Sequence, residues 1–315
     1  MARTRVVVAL VLFALGATAC ASGSSRAVGA GDRATTSTTG TRLAAPTGEF
    51  DHVQLPLEDT SRPAVDPISV RSAPTRQLPT ELYLPTGSGP RPLIVFAHGY
   101  DGDPAKFSQL FEHWAKAGFA VAAPRFPITY TGASAGPIAR AGDLEQQPVD
   151  MRFVLDRVLA STYAGRIDRT RIGVAGLSLG GGTTWGLITD RRFRDPRLKA
   201  AIVMDGSRFW LGEDTYVPNK VPLMIFHIRT DIALPFAAAR TAYAHAKPPK
   251  YFVTIFQGVH PEPFENTPST ADDMVRESTV TFWRGYLLDD AKARSEIVAT
   301  ATVAGVSKAV GDPGD

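Results

Sequence analysis

The chain has only one cysteine, Cys20, in 315 residues, so it can form no internal disulfide. An excess of one charge is also missing: 34 Lys and Arg stand against 31 Asp and Glu, a formal +3. Removing Arg3 and Arg5 with an N-terminal leader leaves about +1, which excludes the broad basic face that nucleic acid requires. The longest apolar run, Val6 to Leu15, is about ten residues, well short of the roughly 20 that a membrane span needs. There is no Cys/His cluster and no H-E-x-x-H spacing for zinc. The glycines at 180–182 are not followed by the Lys-Ser/Thr of a phosphate loop, and no acidic ribose partner is apparent. The expectation is a protein without metal or organic cofactor. No internal repeat is visible. What remains, 44% hydrophobic and 21% charged with 28 Gly and 24 Pro, is ordinary globular composition. Collagen-like, wholly disordered and polytopic membrane classes are thereby excluded.

The N-terminus has the order of an export signal: Arg3 and Arg5, then the apolar run, then small residues up to Cys20. A buried N-terminal helix or strand is the plainer alternative. A cysteine directly after the small residues resembles a bacterial lipoprotein box, which implies lipidation of Cys20 and a membrane anchor. Ala17 stands where such boxes usually have Leu, and plain secretion is the fallback. Residues 21–48 are Ser, Thr, Gly and Ala with few large apolar side chains, the composition of a flexible tether. The folded domain is expected over 49–290, with a tail poor in aromatics at 291–315.

Through the middle, apolar runs alternate with helix-length segments. Strands are expected at 78–84, 92–97, 119–123, 171–176, 199–204, 222–228 and 250–256, several of them apolar throughout, as in strands buried on both faces. Asp103 and Pro104 form a helix start, followed by Phe107, Leu110, Phe111 and Trp114 at helical spacing and Gly118 as the stop. Further helices are expected at 149–160 and 269–288. This alternation predicts an α/β fold, a mostly parallel central sheet with helices on both faces and no large cap domain. In such sheets ligands gather at the carboxyl ends of the strands.

One of those ends carries Gly176-Leu177-Ser178-Leu179-Gly180, between an apolar strand and a helix-compatible segment. That is the setting a G-x-S-x-G nucleophile turn needs. Glycines two before and two after the serine relieve the crowding of so sharp a turn. The helix behind directs its positive end at developing negative charge. Here the chain resembles the α/β-hydrolase superfamily, which implies a serine first, an acid later and a histidine last. Ser178, Asp231 and His260 follow that order at strand ends. Asp205, which also ends a strand, is the rival acid, and some relatives place the acid there. His227 lies within an apolar strand and reads as a core residue. His113 and His245 fall in helices, and His52 and His98 are also available. Carried over from the family, the oxyanion-hole donors are the backbone N–H groups of Leu179 and of Tyr100, after the His98-Gly99 pair.

The segments 59–63, 78–83, 147–150 and 176–180 resemble bacterial platelet-activating-factor acetylhydrolase-like, chlorophyllase-like and dienelactone-hydrolase-like proteins, over about residues 50–290. Dienelactone hydrolases use cysteine, and Ser178 departs from that. Polyester-degrading cutinases are another relative; many carry a disulfide that this chain cannot make. The resemblance implies a serine hydrolase cleaving carboxylic esters, small or polymeric, through an acyl-enzyme. Phe126, Tyr130, Phe209 and Trp210 are expected to rim an open, partly aromatic cleft. An amidase or peptidase on the same fold, or a non-catalytic envelope binding protein, are the alternative readings.

Overall fold

Strand-forming runs dominate the chain order. In the computed structural model, residues 46–65, 72–133, 143–208 and 210–314 are described. The leader, Cys20, nearly all of the tether and Phe209 lie outside the described residues. The strands are β1 (Phe50–Asp59), β2 (Ala64–Val65), β3 (Ser72–Ala73), β4 (Arg76–Pro85), β5 (Arg91–Ala97), β6 (Ala120–Pro124), β7 (Ile167–Leu177), β8 (Leu198–Met204), β9 (Leu223–Ile228), β10 (Lys250–Ile255) and β11 (Ser307–Asp312). The helices are α1 (Ser108–Lys116), α2 (Gln147–Leu159), α3 (Leu179–Thr189), α4 (Phe236–His245), α5 (Thr270–Leu287) and α6 (Ala291–Thr300).

Nine strands form one sheet in the order β1-β4-β6-β5-β7-β8-β9-β10-β11, and β2 and β3 form a separate small ribbon. The pairs from β6 through β10 are parallel, while β1/β4, β4/β6 and β10/β11 are antiparallel. This is the mostly parallel α/β sheet that the alternation predicts.

Alternation along β5 sends Ile94 and Phe96 to one face and Leu93, Val95 and Ala97 to the other. The first face is covered by α1 and α5. Trp114 and Trp283 meet edge to face at 5.9 Å, and Trp114 Nε1 donates to Thr279 Oγ1 at 2.9 Å. The second face is covered by α2 and α3, with Val154, Val158 and Trp185 in the core. Burying each such side chain contributes roughly 1.5–3 kcal/mol.

Residues 291–315 differ from the expected tail. Asp290 caps α6 by accepting from Ala293 N, and Ile297 and Ala301 are fully buried. The chain then returns as β11, paired with β10 from Ser307↔Ile255 to Asp312↔Lys250. Small residues can bury a helix face as well as aromatics when the approach is close, which the aromatic-poor composition conceals.

Candidate active site

The turn that carries Ser178 is built by contact, and Gly176 and Gly180 are the residues that permit it. A Cβ on Gly176 would lie 2.2 Å from Gly180 O, and one on Gly180 would lie 1.9 Å from Ala97 O. Between them Ser178 takes φ 56° and ψ −115°, a left-handed backbone that a non-glycine residue adopts at a cost. Ser178 N donates to Met204 O at 2.9 Å, tying the turn to the end of β8. Leu179 opens α3, so its N–H belongs to the first helical turn, which has no partners within the helix.

The loop after β5 faces this turn. Gly99 sits against Ser178, where a Cβ would be 3.0 Å from Ser178 Cβ. His98 is fully buried and braces the loop. Phe126 N donates to His98 Nε2 at 3.0 Å, so Nε2 is the bare nitrogen and Nδ1–H donates to Gly99 O at 2.8 Å. Burial pushes the His98 pKa down to about 4, so the ring is neutral. Thr131 N donates to Gly102 O at 2.9 Å and Lys106 Nζ to Asp101 O at 2.8 Å, which hold the loop that carries Tyr100.

His260 follows β10. Its Nδ1 lies 2.9 Å from Asp231 Oδ2 and 3.1 Å from Asp205 Oδ2. Asp231 is fixed in turn by Ala233 N, which donates to Oδ1 at 2.6 Å. The two acids read as rivals in the sequence therefore converge on one ring nitrogen. Burial alone would lower the His260 pKa, but the hydrogen bonds to Asp205 and Asp231 outweigh it and raise it to about 9. No hydrogen bond joins Ser178 Oγ to His260 among the described residues. Free enzymes commonly hold this contact long until substrate binds.

Asp205 is the rival acid of the sequence and His227 a core residue, and the sheet register brings the two side by side. Leu177, Met204 and Phe226 are neighbours across β7, β8 and β9, so Ser178, Asp205 and His227 stand next in the same row. Asp205, His227 and Asp231 bring three ligand-type atoms within 4.8 Å of one another. Those carboxylates face His260 Nδ1, and Ile228 N and Ala233 N donate to them, while His227 Nδ1 lies 2.6 Å from Asp205 Oδ1 without forming a hydrogen bond.

The aromatic residues separate into different roles. Phe126 is fully buried in the core with its ring 4.8 Å from His98, beneath the loop and away from any cleft rim. Trp210 is half-buried and packs on α3, where a Cβ on Gly182 would meet Trp210 Nε1 at 2.6 Å. Tyr130 is half-buried under the Arg125 guanidinium. The exposed apolar groups beside the site are others: Ile232 is 87% exposed, Val259 64% and Tyr100 37%, in the loops after β9, β10 and β5 respectively.

A serine at a strained strand-to-helix turn, with a histidine and an acid on later strand ends of a mostly parallel sheet, defines the α/β-hydrolase class. The chain belongs to the PET hydrolase-like family, whose model matches residues 66–307. Among curated proteins it is similar to Cutinase 1 of Thermobifida cellulosilytica, 30% identical over 167 residues, which is 53% of this chain and 56% of that protein. It is also similar to a cutinase of Thermobifida fusca (strain YX), 30% identical over 53% of this chain and 48% of that protein. The match thus spans about half the length of these relatives. Among solved structures, a ferulic acid esterase from Streptomyces cinnamoneus superposes with a TM-score of 0.58 at 21% identity, covering 78% of this chain and 93% of that one. That likeness is one of fold.

Proposed function

We propose that the chain is a serine hydrolase that cleaves carboxylic esters through an acyl-enzyme, with Ser178 as nucleophile, His260 as general base and then acid, and Asp231 orienting the ring. The observation that carries this is the His260 imidazole held by carboxylate at Nδ1, 2.9 Å from Asp231, on a loop of the sheet edge where the Ser178 turn stands. With Nδ1–H engaged, Nε2 is the nitrogen left to take the Ser178 proton as Oγ attacks the ester carbonyl. The backbone N–H groups of Leu179 and Tyr100 are the donors assigned here to the developing oxyanion; one such donor contributes about 2.7–4 kcal/mol to transition-state binding. Nε2–H then protonates the leaving alcohol. Water, activated by the same nitrogen, releases the acid. The steps need no metal or organic cofactor.

The substrate class is esters reached from outside, small or polymeric. Exposed Ile232, Val259 and Tyr100 give the mouth an apolar border that suits an ester with hydrocarbon flanks. The cutinase relatives and the family description support the same class. Export through the 1–20 leader, with Cys20 as a lipid anchor and 21–48 as its tether, remains part of the reading. No described helix is long and apolar enough to cross a membrane. Equal release of wild type and Cys20→Ala into the medium would sink the anchor.

The test of the activity is a chain-length series of p-nitrophenyl esters with an amide analogue alongside. We expect ester cleavage to exceed amide cleavage, a burst of product, and fluorophosphonate labelling at Ser178. Ser178→Ala should lose at least about 1,000-fold in kcat. An amide rate above the ester rate would transfer the reading to an amidase, and full activity in Ser178→Ala would end it.

A further inference from the structure

We propose that Asp205, His227 and Asp231 form a binding site for one divalent ion of the zinc type, and that the bound ion inhibits ester cleavage. The binding stands on the geometry alone. The inhibition rests on the reading of His260 as general base.

The three residues come from two neighbouring strand ends. Asp205 follows β8, His227 lies in β9 and Asp231 sits in the turn after β9. Each offers one ligand atom, and the three atoms lie within 4.8 Å of one another. Paired carboxylates are common without an ion, so the weight falls on His227. Its side chain is 1% exposed, and its Nε2 lies 3.1 Å from Leu234 O. A carbonyl oxygen only accepts, so in the neutral imidazole Nε2 carries the hydrogen and Nδ1 is a bare lone pair. That buried nitrogen has no hydrogen-bond partner among the described residues, yet it stands 2.6 Å from Asp205 Oδ1. Two lone-pair atoms so close repel each other. A cation held by both turns the repulsion into two bonds.

The donor set selects the ion. An imidazole nitrogen with two carboxylates suits zinc and its first-row neighbours, with bonds of about 2.0–2.2 Å. Magnesium and calcium prefer about six to eight oxygen ligands, which this nitrogen-containing set does not supply. Neighbouring ligands on a tetrahedral ion with such bonds stand roughly 3.3 Å apart, so the His227–Asp205 pair opens by less than about 1 Å to reach that span. Charge agrees with this choice. The side chains of Asp205 and Asp231 are fully buried, and two carboxylates with one dication make a neutral group, which is less costly to keep from water than two anions. Solvent reaches the cluster beside His260, whose side chain is 17% exposed.

The same placement accounts for the inhibition. His260 Nδ1 lies 2.9 Å from Asp231 Oδ2 and 3.1 Å from Asp205 Oδ2. When Ser178 attacks, its hydroxyl proton passes to Nε2 and the ring becomes a cation that these carboxylates stabilise. A dication on the same carboxylates cancels their charge and repels the imidazolium, while the substrate pocket is untouched. The loss therefore falls on kcat, with KM nearly unchanged. The ion takes no part in any step of ester cleavage.

The experiment uses the full-length protein freed of metal by a chelator and titrated with zinc chloride, by calorimetry and on one p-nitrophenyl ester. We expect one ion per chain, a fall in kcat of at least about tenfold at saturation, recovery with EDTA, and no effect of magnesium chloride. His227→Gln removes the ring nitrogen, and it should raise the zinc dissociation constant at least about tenfold. An unchanged dissociation constant in that variant overturns the site, as does a wild type that binds no zinc up to about 1 mM. If His227→Gln does not fold, cobalt chloride on the wild type replaces that arm. A His227 ligand gives a paramagnetically shifted, slowly exchanging ring N–H in the proton spectrum, from the Nε2 that faces Leu234 O. Its absence overturns the site. Zinc binding without loss of kcat overturns the inhibition and leaves the site. Ser178→Ala keeps the two readings apart: it should bind zinc as the wild type does, and if it stays active the hydrolase reading has failed while calorimetry still decides the site.

Discussion

At the scale of single residues, His260 ties chemistry to pH. The base form is the neutral ring, and the carboxylates raise its pKa from 6.5 to about 9. kcat/KM should therefore climb through neutral pH and reach half its maximum near pH 9, measured on a soluble ester over pH 6 to 10. Stability has the opposite sign. A histidine whose folded pKa is raised contributes fully below 6.5 and loses that contribution as pH rises through about 9, so Tm should fall across this window and His260→Ala should flatten the fall. Order and spacing name Ser178, Asp231 and His260 as candidates, and Asp231 does lie 2.9 Å from the His260 ring. The rim was not: Phe126 was chosen as an aromatic in a loop, but its ring is core. Whether a loop aromatic faces a cleft or the sheet depends on the path of the chain around it, which composition does not record.

At the scale of elements, the G-x-S-x-G turn and the helix behind it work as one unit. Gly180→Ala would place a methyl group 1.9 Å from Ala97 O, so β5 and α3 would have to separate. We expect at least a 100-fold loss of kcat/KM, read beside an unfolding curve, since overpacking of this kind costs about 1–3 kcal/mol or more. The helix is braced from α2 as well: Thr183 Oγ1 donates to Gln147 Oε1 at 2.5 Å, and Gln147 Nε2 donates to Thr129 Oγ1 at 2.9 Å. Gln147 belongs to a segment singled out in the sequence, and this bracing is its local role. At the C-terminal end, Ile297 packs α6 into the core. Ile297→Ala should cost about 2–5 kcal/mol by chemical denaturation, whereas a dispensable tail would show no change. Existing sequence cues favoured a tail because Ala, Val and Ser carry little apolar signal individually. Pairing with the β10 edge turned that weak pattern into a strand.

At the scale of the whole molecule, a buried charge network joins parts of the chain far apart in sequence. Arg76 is fully buried, and it donates to Asp143 Oδ2 at 2.8 Å and to Asp150 Oδ2 at 2.6 Å; Arg62 reaches the same Asp150 at 2.6 Å and Asp59 Oδ2 at 2.8 Å. Burial pushes the Asp143 carboxyl up to about 6 against the pull of Arg76. Arg76→Met would strand Asp143 without its cation and leave Asp150 to Arg62 alone, so a loss of about 3–5 kcal/mol and a Tm drop of roughly 6–20 °C are expected by calorimetry, with little change in KM. The alternation of apolar runs and helical segments determined the α/β architecture from sequence alone, because periodicity and burial are set locally. Motif order likewise singled out Ser178 and His260, the residues on which the proposed mechanism rests. Tertiary structure alone decided that both acids reach the His260 ring, since Asp205, Asp231 and His227 meet only where adjacent parallel strands come into register. A distance of about 3 Å between side chains 55 residues apart is a property of the sheet and of no segment within it.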